Sequence, residues 1–206
     1  MNPSHPSADS PLPAAAFWAR GLLVLVLALS LGLLARFAMG QGVDLNQLAT
    51  QRTEEGLDLN YATRFDLPHS AEEALLKGVP IYFTVETAVL RNRWYWRDAR
   101  VARASRSWRL TYQPLYKSYK VSSGVFNQSY PTLAEALGPI RGIVGWRVAE
   151  AKDIEDSGSY YLEFAFRLDT SQLPRLQVGL GAPQGWGLSI ERTVALNPDF
   201  TVHNNP

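Results

Sequence analysis

The sequence predicts an all-β fold, mainly an antiparallel β-sandwich of immunoglobulin-like style with two short helices, behind an N-terminal apolar helix. Three observations predict it. Apolar and polar residues alternate in one stretch after another between residues 56 and 196, the period of half-buried strands. Turn-forming residues separate these stretches at the spacing expected of a sandwich or barrel. Only two segments carry a helical pattern, and both are too short to serve as the crossovers of a parallel sheet. The composition agrees, since 46% hydrophobic and 19% charged residues mark a globular chain.

The elements follow in order. "GLDLNYATRFDL" sets Leu57, Leu59, Tyr61, Phe65 and Leu67 on one face, with Asp58, Asn60, Arg64 and Asp66 on the other. "SAEEALLKG" reads as a short helix, with Ser70 and Glu73 at capping-box spacing and Gly78 as its stop. "VPIYFTVETAVL" aligns Ile81, Phe83, Val85 and Val89 as a strand. "SWRLTYQP" puts Trp108, Leu110 and Tyr112 on one side, with "YKSYKVS" as its hairpin partner. "YPTLAEALG" is the second helix, and Thr132 and Glu135 repeat the capping-box spacing. "GWRVAEAKDI" and "SYYLEFAFRLDT" alternate again, with "EDSGS" as a hairpin turn between them. A last strand runs through "WGLSIERTVAL". The total is about eight or nine strands.

The N-terminal region separates from this domain. Residues 1–16 are rich in Pro, Ser and Ala and read as a disordered leader. Residues 17–40 read as a signal peptide or a membrane anchor. The continuous apolar run 21–35 spans about 22 Å as a helix, the length of a signal-peptide core. Extended from Trp18 to Met39 it reaches about 33 Å, enough to cross a bilayer with Arg20 and Arg36 at its ends. A small-x-small cleavage pattern stands at Ala38-Met39-Gly40. Both readings export residues 41–206, to the periplasmic side of an inner membrane, either anchored or released near Gly40.

Charge is concentrated in one place. Residues 41–206 carry 18 basic and 18 acidic side chains, which argues against a nucleic-acid partner. Yet residues 91–109 hold Arg91, Arg93, Arg97, Arg100, Arg103, Arg106 and Arg109 with Asp98 as the lone acid, a local charge of +6. Such a run faces an anionic surface or pairs with acids on neighbouring strands. A period of two puts Arg106 on the face opposite Arg103 and Arg109. Within the run, "RNRWYWRD" places Trp94 and Trp96 on one strand face and Tyr95 on the other. Two tryptophans on one face of a sandwich strand fit a core, with Arg93 and Arg97 over their rings; an exposed aromatic platform for a small ligand or glycan is the alternative. The candidate binding residues are therefore Trp94, Tyr95, Trp96, Arg97, Arg100, Arg103 and Arg106.

Catalytic and metal chemistry find little support. There is no cysteine, which removes disulfides, thiolate nucleophiles and cysteine metal sites. Of His5, His69 and His203, only His69 lies in the body of the domain, beside a helix start, and one histidine builds no zinc site. No G-x-S-x-G elbow accompanies it. Glu86 and Glu163 both fall on polar strand faces, where glutamates are ordinary, and hydrolysis by a carboxylate pair is the less favoured reading. "DIEDSG" lacks the ligand order of a calcium loop and reads as a solvated hairpin turn. "GLGAPQGWG" has no G-K-[ST] ending and reads as a loop joining the last strands. No catalytic residue, metal or cofactor is expected.

"ALLKGVPIYFTVE", "RWYWRD", "RLTYQPLYKSYKVS", "NQSYPTLAEAL" and "FRLDTSQLP", taken together and in this order, resemble an exported proteobacterial family, domain-of-unknown-function family 4390. The resemblance runs from about residue 43 to residue 196. It implies an exported domain and brings no functional residues with it. The long N-terminal leader departs from the family pattern. The resulting expectation is an exported envelope module that binds rather than catalyses, with an envelope protein or an anionic surface as partner.

Overall fold

In the computed structural model, which describes residues 42–92, 99–155, 158–172 and 185–203, two antiparallel sheets pack as a sandwich. The smaller sheet joins β1 (Asp44–Thr53), β2 (Gly56–Arg64) and β7 (Gly142–Glu150) in the order β1-β2-β7. The larger one joins β3 (Ile81–Arg91), β4 (Ala99–Gln113), β5 (Ser118–Ser123), β6 (Phe126–Tyr130), β8 (Tyr160–Leu168) and β9 (Ser189–Ala195). Its order is β6-β5-β4-β3-β8-β9. Two short helices, α1 (His69–Leu76) and α2 (Leu133–Arg141), and two 3₁₀ turns, Ala151–Asp153 and Thr170–Gln172, complete the regular structure among the described residues. Trp94, Tyr95, Trp96 and Arg97 lie outside the described residues, as does the apolar run 17–40. Among the described residues no helix is long and apolar enough to cross a membrane.

The core forms where the predicted apolar faces meet. Leu57, Leu59 and Tyr61 of β2 are fully buried, as are Ile81, Phe83, Val85 and Val89 of β3 and Leu162, Phe164 and Phe166 of β8. Rings interlock across the two sheets, with Tyr61 5.1 Å from Phe164, and Phe65 5.5 Å from Phe83 and 5.1 Å from Phe166. These tilted arrangements add to the burial itself, because ring edges and faces carry opposite partial charge. The β4–β5 hairpin has the expected partners, pairing Gln113 with Ser118.

The structure corrects two local readings. The α1 helix starts at His69 behind Pro68 and has no side-chain cap. Ser70 is thus already helical, and its hydroxyl accepts a hydrogen bond from the buried Trp186 indole at 3.0 Å instead. The α2 helix does use Thr132 as its cap, with the Thr132 hydroxyl accepting from the Glu135 amide at 3.2 Å and donating to the Glu135 carboxylate at 2.8 Å. The second correction concerns residues 155–159. The strands β7 and β8 are not a hairpin, because β7 pairs with β2 while β8 pairs with β3 and β9. The segment between them changes sheets. Asp156 and Ser157 lie outside the described residues.

Candidate functional site

The arginine run occupies β4, and its local geometry decides which way each side chain faces. From Leu110 back to Ala102, β4 pairs residue for residue with Ile81 to Val89 of β3. The register then shifts, and Arg100 stands opposite Leu90. Val101 is the extra residue of a β-bulge, so Arg100 turns to the same face as Arg103 and Arg109. This outer face has no covering layer among the described residues. Arg106 points to the inner face, in the row of Trp108 and Leu110, and its guanidinium lies 5.6 Å from the Trp146 ring centre. The two-residue period thus separates Arg106 from Arg103 and Arg109 as the sequence indicated.

On the outer face a shallow groove of about 350 Å³ crosses β4, β3, β8 and β9. Its floor is made by two small residues. Ala88 stands opposite Arg103 and Glu163, and Ala165 stands opposite Glu86 and Glu191. Long charged side chains surround these alanines, so a hollow remains between them. Arg100, Arg103, Glu86, Glu163, Glu191 and Thr193 form the walls. The fold therefore brings together Arg100 and Arg103 with the carboxylates Glu86 and Glu163, while Arg106 lies apart.

Electrostatics distinguish these groups. Glu86 accepts one hydrogen bond from Arg167 at 2.8 Å and another from Arg103 at 3.0 Å. Arg167 first, then Arg103, holds its carboxyl below the ordinary glutamate range against the cost of burial. A general acid needs the reverse shift, so Glu86 is poorly suited to that role. Arg91 pairs with Glu155 at 2.8 Å. Arg100 and Arg109 form no ion pair among the described residues. His69 is largely exposed and lies 3.3 Å from Glu73 on its own helix. Among the described residues no three His, Asp or Glu side chains converge as metal ligands do.

Glu86 supplies a test of this arrangement. A carboxylate with a depressed folded pKa stabilises the fold above the unfolded glutamate value, about 4.3, and that contribution disappears as pH falls through the folded value. The stability difference between wild type and Glu86→Gln should therefore shrink as pH is lowered from about 6 to about 3. Denaturant midpoints across that range measure it. A constant difference would mean that the two arginines do not stabilise the charged form.

Arg167 and Glu191 escaped the sequence reading, although both lie on the polar faces of predicted strands. Their role depends on which strands are neighbours. Arg147 was also missed: it bridges Asp58 and Glu55, the latter at 2.8 Å, across the smaller sheet.

The family model described as Domain of unknown function (DUF4390) matches residues 40–195. The chain belongs to this family. The match spans every strand of the DUF4390 sandwich, from β1 to β9. No curated protein and no solved structure matches the chain. The description of DUF4390 assigns no site, so the chemistry of this member rests on its own groove and arginines.

Proposed function

We propose that this DUF4390 member is an exported envelope module that binds a partner protein over the outer face of its six-stranded sheet. The domain stands on the periplasmic side of the inner membrane, anchored through residues 17–40 or released near Gly40. The observation that carries the binding reading is the bulge at Val101. It turns Arg100 onto the uncovered face beside the alanine-floored groove, where no acid pairs with it among the described residues. Charges of both signs around a shallow hollow suit a polar protein surface, where electrostatic complementarity sets orientation and partner choice. Export is supported by the apolar run between Arg20 and Arg36.

Two measurements test this reading in cells. Alkaline phosphatase fused after Pro206 should be active, and an inactive but intact fusion would place the domain in the cytoplasm. A photo-crosslinking residue at Ala165, in the groove floor, should give a discrete protein adduct that Arg100→Glu abolishes. The same residue at Glu150, on the smaller sheet, is the control. Equal adducts from both positions, or none from Ala165, would remove the outer face as the interface.

A further inference from the structure

The geometry points to a second binding site, in which an extended peptide segment with an acidic side chain lies along the free edge of β7 and meets Arg106. This site is on the other side of the larger sheet from the Arg100 groove, so it stands or falls separately. Among the described residues three strands cover the inner face of a six-stranded sheet. Beside the outermost of them, β7, a groove of about 740 Å³ is left open, a size typical of ligand clefts. Trp108, Phe126, Pro139 and Ile143 line it with apolar surface, and Ser123 adds a hydroxyl.

Among the described residues, Arg106 is the one charged residue lining this groove. Its side chain forms no ion pair and no hydrogen bond among the described residues. The Trp146 ring beneath it, at 5.6 Å, holds the guanidinium without neutralising it. An arginine braced in this way, with its donors free, presents a planar fork to a carboxylate.

The groove wall specifies more than charge. As the last strand of its sheet, β7 carries backbone N–H and C=O groups directed away from β2, with no strand among the described residues to receive them. The pairing with β2 is interrupted between Tyr61 and Leu59, where Gly145 has a φ of +67° and donates its amide to the Asn60 side chain at 2.6 Å. This bulge ends the straight edge and leaves Gly142 to Val144 as the segment available beside the groove. The exposed side chain of Val144 extends from that segment, and Val125 projects from the opposite wall. An extended peptide matches all of these features. Its backbone pairs with the β7 edge, its alternate apolar side chains reach Trp108 and Phe126, and one carboxylate reaches Arg106.

A fluorescein-labelled octapeptide of alternating valine and threonine with one central glutamate probes the site on the purified full-length chain. Fluorescence anisotropy should show saturable binding, weakened about tenfold or more by Arg106→Gln, the loss of one charge-assisted contact. A lysine in place of the central glutamate should weaken it similarly, and Arg106→Glu should reverse this preference. Methylation of alternate peptide nitrogens should weaken binding on the unaltered chain, because strand pairing needs those N–H groups. Arg106 is exposed, so thermal melts of both variants should match wild type. The inference is overturned if glutamate and lysine peptides bind equally, if Arg106→Gln or N-methylation leaves affinity unchanged, or if no peptide binds at millimolar concentration. Binding of octanoate at Arg106 without peptide binding would assign the groove to a small amphiphile and overturn it equally.

Discussion

Phe166→Ala should cost about 3–5 kcal/mol, the usual penalty for truncating a buried aromatic ring. Phe166 is fully buried, stands opposite Val85 on one side and Ile190 on the other, and contacts the rings of Phe65 and Phe83. Phe65 follows β2 of the smaller sheet while Phe83 belongs to the larger, so the lost ring joins both layers. Partial collapse cannot fill a void bounded by two sheets without moving one of them. A loss of that size is a large part of the 5–15 kcal/mol that stabilises an ordinary domain. Urea midpoints should separate this variant clearly from Glu163→Ala, three residues earlier on the opposite, exposed face, which should stay within about 0.5 kcal/mol of wild type. Equal midpoints for the two variants would contradict the packing of the core.

Gly56→Ala is the second large effect. Gly56 begins β2 with a φ of +150°, a conformation that side chains rarely adopt, and it is buried against β7. A Cβ there would collide with the Ala149 carbonyl oxygen, a backbone atom that cannot rotate away. Strain and collision together should cost at least about 2 kcal/mol. Gly187→Ala is the matched control, because nothing stands within 4 Å of its added carbon. It should remain within about 0.5 kcal/mol of wild type by thermal or chemical denaturation. A Gly56→Ala protein as stable as the control would mean that the β1–β2 turn is built differently.

What the sequence disclosed follows physical rules. The strands β2, β3 and β8 were legible because one face of each enters a single core, which writes strict alternation into the chain. Neither β1 nor β6 was read as a strand. In β1 only Thr50 is buried, and β6 has no buried residue, so their backbone pairing leaves no apolar period to find. The error at Ser70 arose because capping-box spacing also fits a serine at the second helical position. The hydroxyl's real partner, Trp186, is 116 residues away. The sheet change between β7 and β8 was hidden for a similar reason. Turn chemistry is local, but the choice between a hairpin and a crossing depends on whether β7 prefers β2. For the candidate site, the separation of Arg106 from Arg103 was legible from period alone. The position of Arg100 was not, because it depends on a bulge, and Arg167 could not be matched to Glu86 without the β3–β8 register.

The neighbours of β3 also constrain how the chain reaches this state. One side of β3 is closed by β4, the next strand in sequence, but the other is closed by β8, whose first residue, Tyr160, pairs with Arg91. Until β8 has emerged, a row of apolar side chains and unpaired amides along β3 has no permanent cover. An N-terminal fragment extending through α2 would therefore hold four of the six strands of the larger sheet and two of the three of the smaller, with β3 open on the side that β8 closes. Long-range pairings of this kind delay folding into the millisecond-to-second range, since the closure entropy precedes the contacts that offset it. If the domain is exported as proposed, that delay would favour an extended polypeptide during passage and folding on the far side.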